Sequence, residues 1–260
     1  MLELPLAPEE GAPVALFPLG SGACFADLRA GLSLRSAGDL CHPERHIAHG
    51  DPAAAQACAQ RRSRLLHDLE LEEERLAYCR QVHSRAVVWV EGDDAHRDCR
   101  LREGDGLLTR RREAICCVTV ADCLPIFVAD RRTGSFGVLH SGWRGTGILA
   151  TALEMLRGGG ALPADLAVTL GPGIGSCCYA VDEERFARFL RVFGEGSVRR
   201  RQGRPFLDLQ GANLEILRRA GVEDVAVVRS CTVCTPALAS FRRDGPSFAH
   251  MLAFVGRVRS

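Results

Sequence analysis

The residue types best suited to chemistry stand where apolar stretches break off. His83 precedes the strand-like run Ala86 to Val90, Cys123 follows the apolar run Ala114 to Val120, and His140 ends the run Ser135 to His140, just before Ser141-Gly142-Trp143-Arg144-Gly145. Loops held at strand ends by a rigid sheet are where catalytic groups usually sit. Two imidazoles and one thiolate would give zinc three protein ligands and leave the fourth position for water, as in a catalytic site. The intervals from 83 to 123 and from 123 to 140 match no local zinc motif. The competing reading is therefore a buried thiol and two unconnected histidines. A third reading makes Cys123 a nucleophile with His140 as base and Asp105 or Asp122 as orienting group.

Three further motifs bear on this site. Arg144 and the start of the following helix lie side by side, and a guanidinium beside unpaired helix amides attracts phosphate, although an arginine solvated or paired with a carboxylate is the simpler account. Gly171-Pro172-Gly173-Ile174-Gly175 looks superficially like a dinucleotide fingerprint. Pro172 and the stretch Ser176 to Val181 separate it from the helix capped by Asp182, so it reads as a tight loop near the site. Cys231-Thr232-Val233-Cys234 has the spacing of half a zinc ribbon or a redox pair, but no second such pair exists. The adjacent pairs Cys116-Cys117 and Cys177-Cys178 are expected to point to opposite faces of a strand. Buried thiols are expected, with Cys231 lining the site.

The elements that must position these groups alternate along the chain. Short strand-like pieces at Val14 to Phe17 and Ala23 to Leu28 precede a helix with Asp51 as cap, Pro52 at its first position and Cys58, Leu65, Leu66 and Leu69 at helical intervals. After a break at Asp122 to Pro125, Ile126 to Ala129 reads as a strand and turns through Arg131 to Gly134 into Ser135 to His140. Ile148 to Leu156 forms a helix stopped by Gly158-Gly159-Gly160. A strand Asp165 to Leu170, helices Asp182 to Phe193 and Asp208 to Ala220, a strand Val225 to Arg229 and a last strand near Phe248 to Val255 follow. The pattern predicts a single mixed α/β (α+β) domain spanning 1–260.

Composition narrows the function. Of 260 residues 47% are hydrophobic and 25% charged, and mean hydropathy is zero, as for an average globular protein. The net charge of +1 provides no field to hold a nucleic-acid backbone. All 33 basic residues are arginine. Without lysine, Schiff-base, pyridoxal phosphate and P-loop chemistries are excluded. No apolar run reaches the roughly 18 to 20 residues of a membrane helix. The opening Met1-Leu2-Glu3-Leu4-Pro5 shows no signal peptide, so the twelve cysteines are expected as mostly free thiols in a cytoplasmic protein.

Taken together, the segments resemble the YfiH-like proteins, a family once labelled multicopper polyphenol oxidases and later described as purine nucleoside phosphorylases. The resemblance runs in order through Gln81-Val82-His83, Gly104-Asp105-Gly106, Thr119 to Pro125, His140-Ser141-Gly142-Trp143-Arg144-Gly145, Leu170 to Gly175, Cys178 to Val181, Asp208-Leu209 with Asn213, Cys231-Thr232 and Ser240 to Asp244. It covers the motif-bearing part, 76–255, whereas 1–75 is less typical. It implies mixed sheets flanked by helices, a fold similar to a group of cysteine deamidases. It also implies that His83, Cys123 and His140 are zinc ligands; beside them Asp105 and Asp122 are read as catalytic, and Gln81, Arg144, Cys231 and Arg242 as substrate-binding. The implied activities are phosphorolysis of adenosine, inosine and methylthioadenosine with phosphate, and adenosine deamination. A cysteine deamidase using Cys123 and His140 stays open, as does copper-dependent phenol oxidation, since ligand identity alone does not separate zinc from copper. The chain departs from the family where a Ser-Thr-Arg-type segment gives way to Phe17 to Cys24, in Gln60-Arg61 and Ser141, and in the glycines that flank Asp105.

Overall fold

Strands that are apolar on both faces need cover on both sides, and the chain supplies it in four layers. The computed structural model describes residues 1–8, 10–20, 25–41, 51–92 and 95–258. In chain order the first strands are β1 (Leu2–Leu4), β2 (Val14–Phe17), β3 (Leu28–Ser33), β4 (Leu76–Ala77), β5 (Val87–Val90), β6 (Gly106–Thr109) and β7 (Ile115–Val120). They are followed by β8 (Leu124–Asp130), β9 (Phe136–Ser141), β10 (Leu166–Leu170), β11 (Val198–Arg201), β12 (Arg204–Leu207), β13 (Asp224–Val228) and β14 (Met251–Arg257). The long helices are α1 (Pro52–Asp68), α2 (Ile148–Gly158), α3 (Glu183–Phe193) and α4 (Leu209–Ala220).

A mixed seven-stranded sheet has the order β1-β13-β10-β8-β9-β6-β5, and a five-stranded sheet the order β2-β3-β14-β7-β4. Phe127, Phe136 and Val138 of the first pack against Leu32, Val118 and Ala253 of the second to form the core between them. Along β8 the alternate residues Leu124, Ile126 and Val128 join the second core, which α2, α3 and α4 close from outside. Along β7 Cys116 faces the inner core and Cys117 the outer one under α1, as adjacent strand residues must. Mixed sheets flanked by helices are thus the observed fold.

Local chemistry explains the ends of the helices. Asp51, Asp182 and Asp208 accept amide hydrogen bonds from Ala54, Arg185 and Gly211 at 2.9, 2.8 and 2.8 Å, which satisfies donors the helix itself leaves open. Gly221, at φ +71°, ends α4 in the left-handed region.

Three local expectations are corrected. β8 begins at Leu124 and contains Pro125, which pairs in register with His140; a proline is accepted there because it stands at the start of the strand. The early strand is Leu28–Ser33 rather than Ala23 to Leu28, whose first two residues lie outside the described set, as does the whole of Ser21 to Cys24. Cys177 and Cys178 stand in a turn, with the Cys178 and Tyr179 amides donating to Gly175 O, and not in a strand. Among the described residues no helix is long and apolar enough to cross a membrane.

Candidate metal centre

The alternation that sends Phe136 and Val138 of β9 into the core between the sheets carries His140 to the same side at the strand's end. Cys123 lies one residue before β8, which pairs with β9, and His83 comes from the loop before β5. The ligand atoms of all three lie within 4.8 Å of one another. The His83 and His140 rings meet edge to face with centroids 4.8 Å apart. Three donors converging from separate elements form a group that could hold one metal ion.

Asp105, fully buried just before β6, organises this centre. Its carboxylate accepts the amides of Val82, His83 and Ser84 at 3.2, 3.0 and 2.6 Å and the Ser84 hydroxyl at 2.8 Å. It also lies 2.8 Å from His140 Nδ1, which turns Nε2 toward Cys123 and His83. Burial alone would raise the Asp105 carboxyl, but the hydrogen bond and charge of His140, with the Ser84 donors, hold it below the usual carboxylate range. Burial likewise opposes charge on the two ligands. The neighbouring histidines nevertheless bring the Cys123 thiol down to about 6, and the Cys123 thiolate with Asp105 brings His140 up to about 10. Without a metal the two form a thiolate–imidazolium pair.

Backbone strain concentrates at the same place. Of the four described non-glycine residues with positive φ, His83 (+59°) and Asp122 (+82°) both border the centre, and such strain persists only where surrounding contacts enforce it. Around Asp122 these contacts are explicit. Its side chain accepts from the Thr232 hydroxyl at 2.5 Å and the Arg242 amide at 2.7 Å, and its carbonyl accepts from Ile174 N at 2.8 Å.

The other expected site residues fall into two groups. Gln81 has its amide engaged with the backbone: it donates to Thr119 O at 2.9 Å and accepts from Thr119 N at 2.7 Å, pinning the His83 loop to β7. Cys231 accepts from Gly175 N at 3.3 Å and gathers with Cys177, Cys178 and Cys234 rather than with Cys123. Arg144 and Arg242 are exposed, with guanidiniums 5.2 Å over Trp143 and 5.4 Å over Tyr179. Arg185, 4.3 Å over Trp143, was not anticipated. It lies in the first turn of α3 and no local pattern marks it. Ser84 was also missed, although its place directly after His83 in a loop was a usable signal.

Glycines clear the space the centre needs. A Cβ on Gly142 would lie 2.7 Å from Cys123 Sγ, and one on Gly145 would lie 2.6 Å from Ser84 O. The departure at Gly106 has its own cause, because a Cβ there would meet Leu139 at 2.6 Å and Ile148 at 3.2 Å.

A family model described as multi-copper polyphenol oxidoreductase laccase matches residues 43–258. The chain is 34% identical to a purine nucleoside phosphorylase of Deinococcus radiodurans, over 98% of this chain and 94% of that protein. It is also 34% identical to the purine nucleoside phosphorylase YlmD of Geobacillus stearothermophilus, over 90% and 91% of the two chains. The crystal structure of YlmD from that organism superposes with a TM-score of 0.84 at 28% identity, covering 98% of this chain and all of the other. A hypothetical protein YfiH of Bacillus licheniformis superposes with a TM-score of 0.81 at 25% identity, covering 95% and 97%. With its fold and its His83–Cys123–His140 centre, this chain belongs to the multi-copper polyphenol oxidoreductase laccase family, the YfiH-like proteins.

Proposed function

We propose that this chain is a zinc-dependent purine nucleoside phosphorylase that converts adenosine, inosine or methylthioadenosine and phosphate to the free base and ribose 1-phosphate. The observation that carries this reading is a pair of aromatic rings faced by guanidiniums, on the segments that adjoin His140 and Asp122. Trp143 follows His140 by one turn of loop and bears Arg144 and Arg185 over its ring, and Tyr179 bears Arg242. Arg242, which lies over the Tyr179 ring, donates its amide to the Asp122 side chain at 2.7 Å, next to Cys123. Aromatic faces suit a purine and guanidiniums suit phosphate. The names of the relatives point the same way.

His83, Cys123 and His140 would hold the zinc ion, which would supply Lewis-acid polarisation of a substrate oxygen or water. The chain's own residues do the rest. The glycosidic C1′–N bond breaks with its electron pair going to the base nitrogen, a phosphate oxygen bonds to C1′, the proton carried by hydrogen phosphate passes to the base, and the arginines offset the phosphate charge. Asp105 and Asp122 have their oxygens engaged. We therefore assign both to positioning, Asp105 for His140 and Asp122 for the Thr232 and Arg242 loops, in place of proton transfer. Phenol oxidation by a blue-copper centre finds no support in the donor set, since Met155 packs under the helices and Met251 in the core between the sheets.

A second reading rests on the Cys123–His140–Asp105 alignment, whose ionised thiol and oriented imidazole suit a nucleophilic amidohydrolase. Product analysis separates the two. Phosphate-dependent release of base supports phosphorolysis, and ammonia released from adenosine without phosphate adds deamination. Amide hydrolysis that survives chelators and stops on alkylation of Cys123 would replace the proposal.

A further inference from the structure

A second set of thiols stands apart from the centre just described. Cys177 and Cys178 belong to the turn after the Gly171–Gly175 loop, and Cys231 and Cys234 to the turn after β13. An isolated parallel bridge between Gly173 and Cys231 ties the two turns, with Thr232 N donating to Gly173 O at 3.1 Å and Thr235 N to Cys231 O at 2.9 Å. All four sulfurs lie within 4.8 Å of one another. Cys234 Sγ is 3.4 Å from Cys178 Sγ and 3.8 Å from Cys177 Sγ.

These separations have a specific chemical counterpart. Four thiolates about 2.3 Å from one zinc ion, arranged tetrahedrally, stand about 3.8 Å from each other. An iron–sulfur cluster interposes its own irons and sulfides and needs its cysteines spread further apart. We propose that Cys177, Cys178, Cys231 and Cys234 hold a second, structural zinc ion, closed by four protein ligands. The Gly175 amide donates to Cys231 Sγ at 3.3 Å, a contact that orients this sulfur toward the other three. The four-thiolate site carries net negative charge, and Arg243 stands beside it, bonded to Thr232 O at 2.8 Å and to Leu238 O at 2.7 Å. Zinc binding sends the four thiol protons to solvent and changes no oxidation state.

The consequence is a staple. The ion joins the turn that leads into Tyr179 to the turn bearing Thr232, the partner of Asp122 beside Cys123. With no open position it fixes the wall of the site and takes no direct part in catalysis.

Native mass spectrometry of the full chain, purified with reductant and loaded with zinc, tests this independently of any activity. Two zinc ions are expected in the wild type and one in each of Cys231→Ser/Cys234→Ser and His83→Ala/His140→Ala. A single zinc that disappears in the histidine variant overturns the proposal. The wild type gives a second test should the serine variant fail to fold. Cys177 and Cys234 are exposed, so their alkylation by iodoacetamide is expected to slow at least tenfold in zinc-loaded protein relative to chelator-treated protein. Equal rates, or a Cys178–Cys234 disulfide in the loaded protein, contradict a zinc site.

Discussion

At the scale of single residues, the centre is a problem of charge in a buried place. Cys123 near 6 and His140 near 10 mean that metal-free protein at pH 7.5 holds an ionised thiol and a protonated imidazole. A zinc ligand must be deprotonated, so His140 has a proton to lose while Cys123 has already lost its own. Calorimetry in buffers of different ionisation enthalpy at pH 7.5 is expected to show about one proton released from this pair per zinc bound. Release falls as pH rises through 10 and rises toward two as pH falls below 6. The Cys231→Ser/Cys234→Ser background removes two of the other thiols, and the pH dependence of Cys123 alkylation in metal-free protein reads the ion pair itself: a midpoint near 6 is expected, and a midpoint near the ordinary thiol value would refute it. That His83, Cys123 and His140 come together was expected from the interrupted apolar runs and from the family resemblance, the intervals between them carrying no local motif of their own. The engagements of Asp105, Asp122 and Gln81 were not, because a side chain's partner is chosen by tertiary contacts such as Gln81 with Thr119.

At the scale of elements, ligand placement depends on how closely two loops approach. Gly142 follows β9 directly, and its missing side chain is the space Cys123 Sγ occupies. Gly142→Ala is expected to push the thiolate away and weaken zinc at this centre by about 10- to 100-fold, comparable to the loss of a supporting contact, as read by competition with a chromophoric chelator. Affinity unchanged within twofold would show that the loop yields. The helices were legible because 3.6-residue periodicity and aspartate caps are local signals, as at Asp182 and Asp208. The β11–β12 hairpin was not, since Arg199, Arg200, Arg201 and Arg204 line exposed strands that show no apolar alternation. The turn at Cys177-Cys178 was misread for a related reason: its geometry comes from bonds to Gly175 and not from its own residue types.

At the scale of the whole molecule, the centre lies where two sheets that share a core come to an end, so metal binding ties the layers together. Which sheet an all-apolar strand joins carries no sequence signal, and β7 and β8, adjacent in the chain, enter different sheets. The four-layer arrangement therefore had to come from the structure, while the mixed α/β class did not. Zinc at about 100 times its dissociation constant stabilises a folded site by about 2.7 kcal/mol. For a chain of this size that corresponds to a rise of roughly 5 to 10 °C in the thermal midpoint over chelator-treated protein, and an unchanged midpoint would mean that the centre is empty at that concentration. The most direct test of the account is the initial rate of ribose 1-phosphate formation from adenosine and phosphate, followed as metal-free protein is titrated with zinc, beside His83→Ala treated identically. The account predicts a rate that rises in proportion to occupancy and stays at background in the variant. Full turnover by metal-free protein, or by His83→Ala, would contradict it.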